Sequence, residues 1–107
     1  MQSIGQRAST AHYVLLVAPR EAPGRSRLGV VVTKKIGNAV ARNRVKRVVR
    51  ECFRLWPDLV PDDIDLVVIA KEGAPELGLA AVRAEWTRAR PALLKRCESA
   101  LSTVKTS

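Results

Sequence analysis

The sequence predicts an α+β fold in which helices are layered on a small β-sheet, and three observations predict it. Three short apolar runs rich in β-branched residues read as strands: His12–Ala18 (HYVLLVA), Arg27–Thr33 (RLGVVVT) and Ile64–Ala70 (IDLVVIA). Two longer stretches, opening near Asn38 and Leu79, place apolar residues at helical spacing. With 107 residues and a 47% hydrophobic composition, the chain can bury one core and not two, so residues 1–107 read as a single domain.

Taken in order, a weak strand is expected before Ser9, around Gly5. The His12–Ala18 and Arg27–Thr33 runs are joined by a polar loop, Pro19 to Arg27, with two prolines and a glycine, which suggests antiparallel neighbours. The first helix is expected from about Asn38 to Leu55. Asn38 can cap it by accepting from a free N–H of the first turn, and Pro57 stops it near Trp56. The second pattern carries Leu79, Val82, Trp86, Leu94, Cys97 and Leu101; Pro91 interrupts it, and a break there is favoured over a kink. Ser102 to Ser107 read as a loose tail. A strand–helix–strand crossover from Arg27–Thr33 to Ile64–Ala70 would be right-handed by the general rule.

Charge narrows the function. There are 19 Lys+Arg against 10 Asp+Glu, a formal net charge of +9 and a pI near 10.6, which points to a polyanionic partner. No apolar run is long enough to span a membrane, and the N-terminal MQSIGQRAST lacks the apolar core of a secretory signal, so a cytoplasmic protein without a membrane partner is expected.

The charge is concentrated. Between Lys34 and Arg54 lie eight basic residues (Lys34, Lys35, Arg42, Arg44, Lys46, Arg47, Arg50, Arg54) and one acidic residue, Glu51. On a helical projection Ala41, Val45, Val48, Val49, Cys52, Leu55 and Trp56 share an arc of roughly 120°, while Arg42, Asn43, Lys46, Arg47, Arg50 and Arg54 take the other side and Arg44 its margin. A merely solvated face would mix signs; this one stacks like charges one turn apart. The N–H groups at Asn38 and Ala39, with Gly37 allowing close approach, add an anion site at the positive end of the helix.

Other chemistry is thin. His12 is the single histidine and has no acid or base partner assignable from sequence, so no catalytic pair is evident in this chain. Asp62, Asp63 and Asp65 could gather a hydrated Mg²⁺, but they precede a strand where turn aspartates are common, and the turn reading is preferred. Cys52 and Cys97 show no metal-ligand spacing and read as reduced core filler; no metal site is implied. Trp56 and Trp86 fit helix core faces better than base-stacking platforms.

The run Lys34-Lys35-Ile36-Gly37-Asn38-Ala39-Val40-Ala41-Arg42-Asn43-Arg44-Val45-Lys46-Arg47-Val48-Val49-Arg50-Glu51 resembles the signature of the bacterial ribonuclease P protein subunit, with its R-N-R-x-K-R-x-x-R-E core complete. The resemblance extends from about Ser3 to Leu101. It implies an α-β sandwich like a ribosomal-protein domain, with a small, mostly antiparallel sheet and a left-handed β-α-β crossover, against the general rule. It also implies an accessory subunit of an endoribonuclease, partnered with a catalytic RNA that removes the 5′ leader of precursor tRNA using Mg²⁺ held mainly by the RNA. By position, Arg42, Asn43, Arg44, Lys46, Arg47 and Arg50 would contact the catalytic RNA, with Lys34, Lys35, Gly37, Asn38 and Arg54 on or near that surface. The leader would lie in a cleft between the sheet and the first helices, involving Tyr13, Leu15, Val17 and Val30 or Val32. The family's N-terminal helix, with its basic start and aromatic residues, has no counterpart ahead of Gln2–Ser9; a misplaced start codon, a trimmed chain and a true short form are the alternatives.

A non-enzymatic ribosomal or RNA-chaperone protein using the same helix is the rival reading. A DNA-binding module ranks lower, because a helix-turn-helix needs a second helix where the sequence reads as strand.

Overall fold

A computed structural model describes residues 6–105. Four strands, β1 (Gln6–Ser9), β2 (Tyr13–Pro19), β3 (Arg27–Val31) and β4 (Ile64–Ala70), and two helices, α1 (Ala39–Arg54) and α2 (Leu79–Lys105), make a mixed α+β fold. The sheet order is β1-β2-β4-β3. β1 with β2 and β2 with β4 are antiparallel, whereas β3 and β4 run parallel with α1 as their connection. The weak first strand is present as β1; Gly5 lies outside the described residues.

The expected pairing of β2 with β3 does not form, because β4 lies between them. Two physical facts favour that arrangement. Residues 20–26 between the strands are too many for a tight hairpin. β4 is apolar on both faces apart from Asp65, with Ile64, Leu66, Val68 and Ala70 buried and Val67 and Ile69 half-buried, so it suits the doubly hydrogen-bonded centre.

Strand alternation sorts the sheet into two faces. Tyr13, Leu15 and Val17 lie opposite Ala70, Val68 and Leu66, while Leu28 and Val30 lie beside Leu66 and Val68. This face meets the helices: Val45, Val49 and Cys52 of α1 and Val82, Trp86, Leu93, Cys97 and Ala100 of α2 share one buried core with it. Tyr13 and Trp86 pack edge to face, ring centres 5.6 Å apart. Val14, Leu16, Val31, Val67 and Ile69 point to the other face and take no part in that core.

Three further expectations change. α2 runs unbroken through Pro91, whose missing N–H leaves the Thr87 carbonyl without its helical donor. The cost of about 3 kcal/mol is outweighed by burying Trp86, Leu93 and Cys97 on both sides of it. Ser102 to Lys105 continue α2 instead of forming a tail, and residues 106–107 lie outside the described residues. Leu55, placed in the apolar arc from sequence, caps α1 with 45% of its surface exposed. Trp56 belongs to the core, with the Arg83 guanidinium 4.5 Å from its ring centre. Both cysteines are free and buried; burial pushes both thiols up, Cys97 to about 11, which keeps them protonated and inert.

His12 does acquire a partner, from a helix 73 residues away. The buried Glu85 carboxylate accepts from the His12 backbone N–H and contacts His12 Nδ1, both at 2.8 Å, and also accepts the Thr10 hydroxyl. Lys71 Nζ donates to the Thr10 carbonyl (2.6 Å) and Ser9 Oγ (3.1 Å), closing the β1–β2 turn from the other side. Gly73, at φ +89°, lies against the His12 ring; a Cβ there would come within 3.1 Å of His12 Cδ2.

Two expectations follow for stability. Pro91→Ala should stabilise the fold by about 1–3 kcal/mol, since position 91 is exposed and alanine restores the donor to Thr87; urea denaturation measures it. Burial pushes the Glu85 carboxyl up, but its hydrogen bonds from Thr10 and His12 outweigh this and hold it below its ordinary value of 4.5. The stabilisation this provides is complete above pH 4.5 and is lost as pH falls through the depressed folded-state value. Urea midpoints between pH 7 and pH 3 should therefore fall, and Glu85→Gln should be less stable at pH 7 with a shallower acid decline.

Candidate nucleic-acid interface

The helix entry is built by three residue types. A single 3-10 turn at Lys34–Ile36 exposes both lysines and half-buries Ile36 against the core. Gly37 follows in an extended-edge conformation (φ 158°), and a Cβ at this position would stand 2.9 Å from the Ala41 Cβ, so only glycine lets the chain turn this closely onto the helix. Asn38 then caps α1, its Oδ1 accepting from the Ala41 N–H at 2.9 Å. The first-turn N–H groups of Ala39 and Val40 sit on exposed residues, beside Lys34 and Lys35.

Along α1 the buried residues are Val45, Val49 and Cys52, spaced by four and three, and they fix the rotation of the helix about its axis. Asn43, Arg44, Arg47, Arg50 and Arg54 are consequently exposed, and Arg42 and Lys46 half-exposed. Among the described residues, no carboxylate pairs with Arg42, Arg44, Lys46, Arg47 or Arg50, nor with Lys34 or Lys35. Arg54 differs: Glu51 grips it in a bidentate pair, with Arg54 Nε 3.3 Å from Glu51 Oε1. Asn43, Lys46, Arg47, Arg50, Glu51 and Arg54 line a shallow open groove of about 430 Å³ along this side. All eleven residues singled out from sequence as RNA-facing thus lie along α1 or its entry turn.

The proposed leader cleft fares differently. Tyr13, Leu15 and Val17 are 0% exposed, covered by the helices, so no ligand reaches them in this fold. Burial, then the charge of Glu85, pushes the Tyr13 hydroxyl up to about 12, as befits a core phenol. Val30 shares their face, and Val30 and Val32 are half-buried against the same core. The alternation that made these residues look like a lining is what turns them inward. The accessible side of the sheet presents their neighbours Leu16, Ala18, Val31, Val67 and Ile69 instead, with Arg7 and Arg27 at its margins. Apolar runs without polar alternation hid this phase; the signal available was only that adjacent strand residues must diverge.

The three aspartates are mostly committed. Asp63, at φ 68°, accepts from the Gly24 N–H at 2.8 Å and closes a turn. Asp65 is held below its usual carboxylate range by hydrogen bonds from Arg27 at 2.8 and 2.9 Å across the β3–β4 pair. Among the described residues no group of three His, Cys, Asp or Glu is placed to hold a metal ion, and no helix is long and apolar enough to cross a membrane.

Comparison with known proteins agrees with this architecture. The family model described as Ribonuclease P matches residues 2–97. The ribonuclease P protein component of Desulfovibrio desulfuricans is 46% identical over 76 residues, covering 70% of this chain and 58% of the relative's own length. That of Idiomarina loihiensis is 45% identical over 93 residues, covering 86% and 73%. The solved RNase P protein of Thermotoga maritima superposes with a TM-score of 0.71 at 34% identity, covering 86% of this chain and 83% of that one. The Staphylococcus aureus RNase P protein gives 0.72 at 27% identity, covering 83% and 81%. With the basic helix, the sheet order and these matches in agreement, this chain belongs to the ribonuclease P protein family.

Proposed function

We propose that this chain is the protein component of ribonuclease P, gripping the catalytic RNA with the outer face of α1 and assisting Mg²⁺-dependent removal of the 5′ leader from precursor tRNA. One observation carries the reading: the cations from Lys34 to Arg50 stand on one ordered surface with no carboxylate partners among the described residues. Stacking Arg42, Lys46 and Arg50 at four-residue spacing costs the free protein a few tenths of a kcal/mol per pair, a penalty that a phosphate backbone reverses. Arginine forks fit phosphate oxygens two at a time, so the helix can be held in register along an RNA groove.

The role for this chain is positioning. His12 is turned onto Glu85, Tyr13 is buried and Lys71 is tied to Ser9 and Thr10, so none of them stands free beside α1 as an acid or base. Asp63 and Asp65 are committed to other bonds, which supports a reading in which the RNA holds the Mg²⁺. A single-stranded leader would lie on the open sheet face, across Leu16, Val67 and Ile69. That face carries no aromatic side chain among the described residues, so contact there is with aliphatic surface and with Arg7. The ribosomal or chaperone alternative uses the same helix but gains nothing from the family matches.

Replacing Arg42, Lys46 and Arg50 together by alanine should weaken binding to the catalytic RNA by a large factor with the circular dichroism unchanged. Unaltered affinity at physiological salt contradicts the assignment. The logarithm of wild-type affinity should fall with that of salt by roughly 0.7 to 0.9 per phosphate contact, and the triple variant should show a shallower slope. Purified chain should leave precursor tRNA intact, whereas chain plus catalytic RNA and Mg²⁺ should yield one cut at the mature 5′ end. Cleavage by the RNA-free protein would overturn the accessory role.

A further inference from the structure

At the C-terminal end of α1, the opposite end of the helix from Lys34 and Asn38, a cleft of about 410 Å³ is lined by Arg25, Ser26, Phe53, Arg54, Pro57 and Asp62. It opens next to the α1 groove and shares Arg54 with it. Its walls come from three parts of the chain, the β2–β3 loop, α1 and the turn before β4, and they are held together by specific bonds. Gly24 N–H donates to Asp63 Oδ1, and Asp63 N–H returns a bond to the Gly24 carbonyl at 2.7 Å. Arg20 N–H donates to the Asp63 carbonyl at 2.9 Å, and the Arg20 guanidinium donates to the Arg25 carbonyl. The loop carrying Arg25 is therefore fastened to the turn carrying Asp62.

The chemistry of this cleft differs from that of the groove beside it. Of the three aspartates at the start of β4, Asp63 and Asp65 are bonded, whereas Asp62 is exposed and makes no hydrogen bond or ion pair among the described residues. A free carboxylate beside a phosphate tract repels phosphate, so its place in the cleft calls for a ligand that brings hydrogen-bond donors. Phe53 is half-buried and lines the same cleft, giving an aromatic surface one residue from Arg54. Glu51 fixes the Arg54 guanidinium through Nε and Nη2, leaving Nη1 without a bond among the described residues. Arg25 is exposed on the opposite wall.

We infer that this cleft is a site for one unpaired RNA nucleotide with a preference for guanine: the base stacks on Phe53, Asp62 accepts from its Watson–Crick edge, and Arg25 and Arg54 hold the flanking phosphates. Guanine presents two neighbouring donors on that edge, N1–H and the 2-amino group, which match the two oxygens of one carboxylate. Adenine and cytosine present one amino group and uracil one ring N–H. Unstacked bases in single-stranded segments are read in this manner by aromatic and polar side chains. The inference rests on α1 being an RNA-binding helix and adds a base-specific contact at its end.

The test uses the whole chain and labelled dodecamers of uridine carrying one central guanosine, adenosine or inosine, with binding followed by fluorescence anisotropy at low salt. The guanosine probe should bind about tenfold more tightly than the adenosine probe, as one bidentate base contact allows, and inosine, lacking the 2-amino group, should fall between. Asp62→Asn, at an exposed turn position, should bring the guanosine-to-adenosine ratio to within about twofold. Phe53→Leu, which keeps apolar volume against the core, should weaken guanosine and adenosine probes together. Equal binding of guanosine and adenosine by the wild-type chain, or a ratio untouched by Asp62→Asn, overturns the site while leaving the basic helix standing. Failure of every probe to bind overturns the RNA reading of α1 and the nucleotide site with it.

Discussion

The basic surface of α1 depends on the burial of Val45, Val49 and Cys52 in the core beneath the helix. Those three side chains are the fully buried anchors of a helix whose outer surface is mostly cationic, and with Val48 and Phe53 packed beside them they decide its rotation. Rotating the helix by one residue, roughly 100°, would carry arginines toward the sheet and strand valines in water. Hydrophobic burial of about 25 cal/mol per Å² thus does more than hold α1 down; it sets the direction in which five uncompensated charges, Arg42, Arg44, Lys46, Arg47 and Arg50, point. Asn38 and Gly37 settle where the helix begins, and Trp56, buried beyond its C-terminal cap, settles where it stops.

Much of this was legible because each signal was local. The apolar spacing of α1, its cap and its stop at Pro57 are all contained in some twenty consecutive residues, and the exposure of Arg42, Asn43, Arg44, Lys46, Arg47, Arg50 and Arg54 follows from that spacing. The sheet was less legible, because pairing is a property of strands far apart in the chain. Placing β4 between β2 and β3 requires knowing that Tyr13 lies opposite Ala70, which no window of sequence shows. The same limit explains the misplaced cleft: apolar residues at successive positions in β2 give no hint of which half faces the helices. Pro91 was misread for a related reason, since its local penalty is outweighed by side chains that bury against the distant strands β1 and β2. Glu85 was invisible as a partner for His12 until α2 was laid over the β1–β2 turn.

The distribution of polar bonding separates scaffold from interface. Ion pairs and charged hydrogen bonds are used where loops must be pinned: Asp65 with Arg27, Asp63 with Gly24, Glu85 with Thr10 and His12. Along α1 they are withheld, except at Arg54. Surface pairs contribute little to stability, so leaving cations unpaired costs the fold little and keeps their donors available.

The position of β4 also bears on how the chain is made. Each of its neighbours, β2 and β3, precedes it, and α1 is synthesised in between, so the central strand is the last of the four to emerge from the ribosome. Until residue 70 is out, β3 has no partner on the sheet and the apolar stripe of α1 has no complete surface to cover. Closure must then join segments some fifty residues apart, a non-local step of the kind that slows folding and exposes unpaired strands to aggregation. A nascent helix already rich in unpaired arginine is, over that interval, a polycation held next to ribosomal RNA, and productive folding has to win that competition before the mature surface exists.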